Sequence, residues 1–309
     1  MEKAVLKTLI YADLFDYPLK AWEIHKWLIG KKATLRQVEK ALMKLDHESR
    51  IKNQGGFYFL KKKEGLVLKR KHRRKKSQEY FQKAKLISMF LKIIPWIKLV
   101  GISGGLAMEN VSKIDDIDLF IVISKNKLWL SRMLILGILE ILRQRRRVGD
   151  GLRQAAGKIC CNVILEEDCL RQRQDLYTAH EVLQMKVLWQ KDGIYEKYLE
   201  ENDWAFKFLP NWISSVQESA RQRAKNRSRN QVARLGLANR QPTARLAAPH
   251  FLTAVDFASF LENIAKKFQL RIMKKPKGLE RIEEGALYFH PQDYRENILM
   301  KFKKVSSKA

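Results

Sequence analysis

The chain has 309 residues, 46% of them hydrophobic and 30% charged, with a formal charge of +28. This balance fits a soluble globular protein of two or three domains and excludes a disordered chain. The charge is uneven: residues 61–76 hold ten Lys/Arg against one Glu, and residues 219–245 hold eight Lys/Arg and no acid. Such tracts read as footprints for polyanions or as solvated basic surface. Three cysteines make no disulfide framework, and neither Cys-x-x-Cys nor zinc-type His spacing occurs. A reducing, cytoplasmic setting is expected, with Lys3 and Lys7 arguing against a signal peptide. Residues 128–142 are apolar but short for a membrane span and carry Arg132 and Glu140, so a buried helix and no membrane partner are expected.

From the N-terminus, the spacing of Val5, Leu6, Leu9 and Ile10 predicts a helix over 3–14. A second segment runs from Trp22 to Leu28 and stops at Gly30. Thr34 is a good N-cap for a third helix from Leu35 to about His47, with Leu35, Val38, Leu42 and Leu45 on its apolar face. Residues 51–60 read as a hairpin turning at Gly55-Gly56. Three helices and a hairpin in this order resemble a winged helix-turn-helix. The resemblance implies a third helix that enters the major groove, with Arg36, Gln37, Lys40 and Lys44 outermost. A protein-contact role is the alternative. The 61–76 tract follows, and Arg70, Lys71, Arg73 and Arg74 in it could hold phosphates or serve a hinge. A helix is expected at about 78–94, ended by Pro95.

The central stretch opens with a strand over 96–102. The small-residue turn Ser103-Gly104-Gly105 follows, with a short helix expected at 106–110. Asp116 and Asp118 then stand at the head of a second strand, 117–123. Strand side chains alternate faces, so the two acids point the same way and call for a cation between them. A long helix is expected over 127–147, with Arg143–Arg147 at its C-terminus, and a third strand over 158–166.

This arrangement resembles the DNA polymerase β-like nucleotidyltransferases over about residues 96–167. The resemblance implies a nucleoside triphosphate partner held at Ser103, Gly104 and Gly105, and Mg²⁺ or Mn²⁺ held by Asp116 and Asp118 as the catalytic pair. It also requires a third acid on the last strand. The matching position holds Asn162, a neutral metal ligand, and Glu166 shares its face roughly 13 Å further along at about 3.3 Å per residue.

In the C-terminal half, a helix is expected over 175–191, in which His180-Glu181 reads as core or surface rather than metal site. Further helices are expected at 193–201 and 209–231, a linker near 232–250, and an amphipathic helix over 251–273 with Phe257, Phe260, Leu261 and Ile264 on its apolar side. An extended piece at 286–289 and a helix at 292–303 close the chain. The fold expected is therefore α+β: a small mixed sheet with helices, an N-terminal winged helix and a helical C-terminal half. Its divisions are 1–76, 77–170 and 171–309. The function expected is metal-dependent nucleotidyl transfer to an unidentified acceptor, with nucleic acid a candidate partner and oligomeric state open. The alternatives are a DNA-binding regulator, a toxin–antitoxin component with a degenerate core, or an RNA-modifying enzyme.

Overall fold

Thr34 accepts a hydrogen bond from the Gln37 N–H at 3.3 Å, and the Gln37 side chain accepts from the Thr34 N–H at 3.0 Å. This reciprocal cap starts α3 (Leu35–His47) where the sequence predicts it. α1 (Glu2–Asp13), α2 (Ala21–Lys26) and the hairpin of β2 (Ile51–Gln54) and β3 (Phe57–Leu60) also form as expected. A two-residue strand, β1 (Leu19–Lys20), joins the hairpin to make a three-stranded sheet ordered β1-β3-β2. Leu9, Ile24, Leu28, Val38, Leu42, Leu45 and Ile51 pack as its core.

The computed structural model describes residues 1–60, 65–147, 149–212, 254–273, 279–290 and 294–307. It has an α+β fold. After α4 (Leu66–Leu91) come β4 (Ile97–Ile102), α5 (Gly104–Ala107), β5 (Ile117–Ile123), α6 (Leu128–Ile141), α7 (Leu152–Ala155) and β6 (Ile159–Glu166). Then follow α8 (Leu176–Gln184), β7 (Lys186–Gln190), α9 (Ile194–Glu201), α10 (Ala205–Phe208) and a 3₁₀ turn at Pro210–Trp212. The last elements are α11 (Ala254–Met273), β8 (Leu279–Glu283), β9 (Ala286–His290) and α12 (Tyr294–Ser306). The larger sheet is ordered β7-β4-β5-β6-β9-β8, and only the β5–β6 pair is parallel. One face, with Leu119, Ile121, Ile123 and Ile164, packs under α4, α6 and α11. The other, with Leu99, Phe120, Val122, Val163 and Leu165, packs under α8, α9 and α10.

Several expectations change. α4 begins at Leu66, not near 78, so the described part of the basic tract is the first half of a helix, and the 76/77 division falls inside it. Lys and Arg are good helix formers, and buried Leu66 and Val67 anchor its first turn. α6 ends at Ile141 because Arg143 turns left-handed (φ 54°) and the Gln144 and Arg145 N–H groups both return to the Leu139 carbonyl. Arg143–Arg147 therefore leaves the helix, and Arg145 bridges to Ile159. The helix expected over 175–191 ends at Gln184, and 186–190 is an edge strand. On α11, Leu261 packs on the core while Phe260 and Ile264 are exposed; nothing is described of the Phe257 side chain. The basic tract at 219–245 and the expected linker near 232–250 lie outside the described residues.

The N-terminal module is joined to the core along α2 and the loop before α3. Gly30 N–H donates to the Phe208 carbonyl at 2.7 Å, and Asn211 bridges the Ala33 N–H and the His25 carbonyl at 3.0 and 2.7 Å. Tyr11 of α1, Leu176 of α8 and Ile298 of α12 form a further apolar cluster. α12 thus braces the module against the core.

Candidate active site

β4 delivers the chain to a turn that β5 must fit. The Ser103 N–H donates to the Asp118 carbonyl at 3.1 Å, which stitches turn to strand. Gly104 has φ +60°, and a Cβ there would lie 2.6 Å from Asp118 Oδ2. Only glycine leaves the carboxylate room against the turn. Gly105 is exposed, whereas Ser103 is buried and its Oγ has no hydrogen-bond partner among the described residues.

Asp116 stands one residue before β5 and Asp118 inside it. The two carboxylates and Cys160 Sγ each present an atom within 4.8 Å of the others. Cys160 holds this place because it lies directly opposite Asp118 in the parallel register. The register then slips: Leu119 faces Cys161, but Phe120 faces Val163. Asn162 is the extra residue of a β-bulge and has no partner position on β5. The same slip places Glu166 opposite Ile123, on the far face, where its carboxylate accepts from the Lys127 N–H at 3.3 Å. Neither Asn162 nor Glu166 is the residue aligned with the acid pair, contrary to the alternation expected from sequence.

Arg146 reaches in from the segment after α6. Its guanidinium lies 2.8 Å from Asp116 Oδ2 and 3.8 Å from Cys160 Sγ. Burial raises the Asp116 carboxyl above its ordinary range against the pull of Arg146. Asp118 is raised well above it, by burial and then by the charges of Asp116 and Glu181. Burial and the two neighbouring carboxylates also push the Cys160 thiol well up. Arg146 offsets only part of this, since burial keeps both carboxyls raised.

Glu181 arrives from α8. It accepts from the Gly104 N–H at 3.2 Å and from Gln184 at 2.6 Å, and burial pushes its carboxyl up to about 7. His180 beside it is stacked between Tyr11 (4.1 Å) and Trp27 (5.1 Å) of the N-terminal module. Burial lowers its imidazole to about 3. A cavity of about 130 Å³ lies between module and core, and Tyr11, Trp27, Gly104, Gly105, Tyr177 and Glu181 are among its walls. The core reading of His180 holds. Glu181 gave no signal beyond its place next to His180, and Arg146 was masked by a basic run that suited a helix end.

The nucleic-acid candidates separate. Arg36 and Lys40 are exposed on α3, and Lys44 pairs with Glu2 at 2.9 Å. Arg70 does not face solvent. It is buried, pairs with both oxygens of Glu23 (2.9 and 2.5 Å), donates to the Pro18 carbonyl and stacks on Tyr17 at 4.2 Å. Arg70 is thus committed to holding α4 on the module and is unavailable to phosphate. Arg73 donates to Phe15 and Asn110, Arg74 pairs with Glu109 at 3.3 Å, and Lys71 is exposed. None of the helices among the described residues is long and apolar enough to cross a membrane.

No protein-family model matches the chain, and no curated protein matches it. Among solved structures, one described as "Crystal structure of the toxin-antitoxin with AMP-PNP" aligns with 48% of this chain and 95% of its own, at 12% identity and a TM-score of 0.25. At that score the likeness carries no argument.

Proposed function

We propose that the chain is a divalent-metal-dependent nucleotidyltransferase. In this reaction an acceptor group attacks the α-phosphorus of a nucleoside triphosphate, and pyrophosphate leaves. The observation that carries the reading is the contact of turn and acid pair: Asp118 Oδ2 occupies the space that a Cβ at Gly104 would take. Phosphates lying on the Ser103-Gly104-Gly105 backbone would therefore sit beside two carboxylates, which repel them unless a cation intervenes.

The residues fit such a cation, because Asp116 and Asp118 converge with a third donor and a guanidinium is already drawn to them. Asp116 and Asp118 would hold it, and when bound it would neutralise phosphate charge as a Lewis acid. Arg146, freed from Asp116, would be available to a phosphate oxygen for a charge-assisted hydrogen bond. Glu181, titrating at about 7, can hold or accept a proton beside the turn. Tyr11 and Trp27 exclude water on the module side.

The experiment incubates the protein with each α-labelled triphosphate, Mg²⁺ or Mn²⁺ and candidate acceptors of protein, small-molecule and nucleic-acid type. Label transfer is expected for the wild type and its loss for a folded Asp118→Ala variant. Equal transfer by the two would overturn the assignment. A DNA-binding regulator is the second reading, favoured by the exposure of Arg36 and Lys40 on α3.

A further inference from the structure

The two carboxylates meet a sulfur atom. Cys160 Sγ lies within 4.8 Å of a carboxylate oxygen from both Asp116 and Asp118, on the strand position directly opposite Asp118. The register slips only beyond this point, at Asn162. The Arg146 guanidinium lies against Asp116 and Cys160 together, so this corner already draws positive charge. Magnesium demands an octahedral shell of oxygens, and a thiol is a poor partner for it. Two carboxylates and a thiolate instead make a three-ligand set with a position left open, which suits a borderline or soft divalent ion such as Zn²⁺, Co²⁺ or Cd²⁺.

We propose that Cys160 is the third protein ligand of the Asp116–Asp118 ion and that the site selects a thiophilic divalent metal over Mg²⁺. The proposal rests on the reading that the acid pair holds a metal. Binding breaks the Cys160 S–H bond, forms a metal–sulfur bond and releases the proton to water; nothing is oxidised or reduced. Arg146 must give up Asp116 as the ion enters.

Cobalt reports the bond directly, because a cobalt–thiolate bond adds a charge-transfer band in the near ultraviolet. The full chain, carrying Cys169→Ser to remove the half-exposed thiol, is titrated with Co²⁺ and, separately, with Zn²⁺ and Mg²⁺ by calorimetry. The band is expected to appear, to persist in Cys161→Ser, whose thiol packs on the opposite face with Leu119, and to vanish in Cys160→Ser. Zn²⁺ affinity should fall at least about tenfold in Cys160→Ser while Mg²⁺ affinity stays unchanged. Circular dichroism and urea midpoints establish that the variants fold, and Cys160→Ala repeats the test should the serine variant not fold. A band that persists without Cys160, or Co²⁺ binding with no band, overturns the proposal and leaves the acid pair's metal intact. Absence of binding by all three ions overturns both.

Discussion

At Gly104 two demands fall on one residue. Its φ of +60° is strained for any L side chain, by about 1–2 kcal/mol, and a Cβ there would stand 2.6 Å from Asp118 Oδ2. Gly105, next to it, has neither constraint: a Cβ there would meet Val111 at 3.6 Å, an ordinary contact. Gly104→Ala is therefore expected to lose about 1–2 kcal/mol in urea unfolding, and more if the Asp118 carboxylate cannot move. Gly105→Ala should stay within about 0.5 kcal/mol of the wild type. Triphosphate binding should fall in the first variant because the displaced carboxylate is the one proposed to hold the ion. Equal losses of stability in the two variants would mean that the turn is not strained at Gly104. The turn and the acid pair were legible from the sequence, since Gly-Gly and Asp-x-Asp are local patterns. Cys160 was not, because the residue that stands opposite Asp118 is set by the register between strands, and the bulge that takes Asn162 and Glu166 off that face leaves no mark in residue type.

At the scale of elements, α4 shows how one basic run divides between structure and surface. Arg70 turns inward onto Glu23, Lys71 about a hundred degrees round the helix is exposed, and Arg74, one turn beyond Arg70, runs past the module to an exposed pair with Glu109. Arg70→Met would strand a buried carboxylate whose Oε2 also accepts from the Lys20 N–H, and is expected to cost about 3–5 kcal/mol. Lys71→Gln and Arg74→Gln should change stability by no more than about 0.5 kcal/mol. If the outer face of α4 contacts nucleic acid, each of these two should lower the slope of log affinity against log salt by about 0.9 per phosphate lost. Unfolding midpoints and salt titrations of the three variants check both statements. A stable Arg70→Met would show that the Glu23 pair does not hold α4 to the module. The sequence carried α1, α3 and the β2–β3 hairpin almost to the residue, because caps, glycines and apolar spacing there agree with one another; it ran α2 two residues long and held no sign of the two-residue β1. It misplaced the start of α4 and the ends of α6 and α8. Those boundaries depend on tertiary partners: Glu23 for α4, the bridge to Ile159 after α6, and the β4 edge that converts 186–190 into a strand.

At the scale of the whole molecule, the N-terminal module docks over α8, where His180 is buried and Glu181 half-buried, and their titrations then oppose each other. Unfolded, His180 titrates at 6.5 and Glu181 at 4.5; folded, burial moves them to about 3 and about 7. For His180 the unfolded chain binds the extra proton, so its contribution to stability is lost as pH falls from 6.5 towards 3. For Glu181 the folded chain binds it, so its contribution is lost as pH rises from 4.5 through 7. Between pH 4.5 and 6.5 the unfolded pair carries one positive and one negative charge and the folded pair carries none. Both states bind one proton, and the two dependences cancel. Removing either partner should expose the other. Relative to wild type, His180→Gln is expected to lose stability as pH rises across this window, with a slope approaching about 1.4 kcal/mol per pH unit. Glu181→Gln should gain stability with rising pH at a similar slope. Urea unfolding of the three proteins at half-unit steps from pH 4.5 to 6.5 measures this, and differences from wild type cancel the other titrating groups. The linkage belongs to docking rather than to α8 alone, since Tyr11 and Trp27 supply the rings that cover His180. Parallel pH profiles for all three proteins would mean that these side chains keep their water, and that the module does not close over the Ser103-Gly104-Gly105 turn.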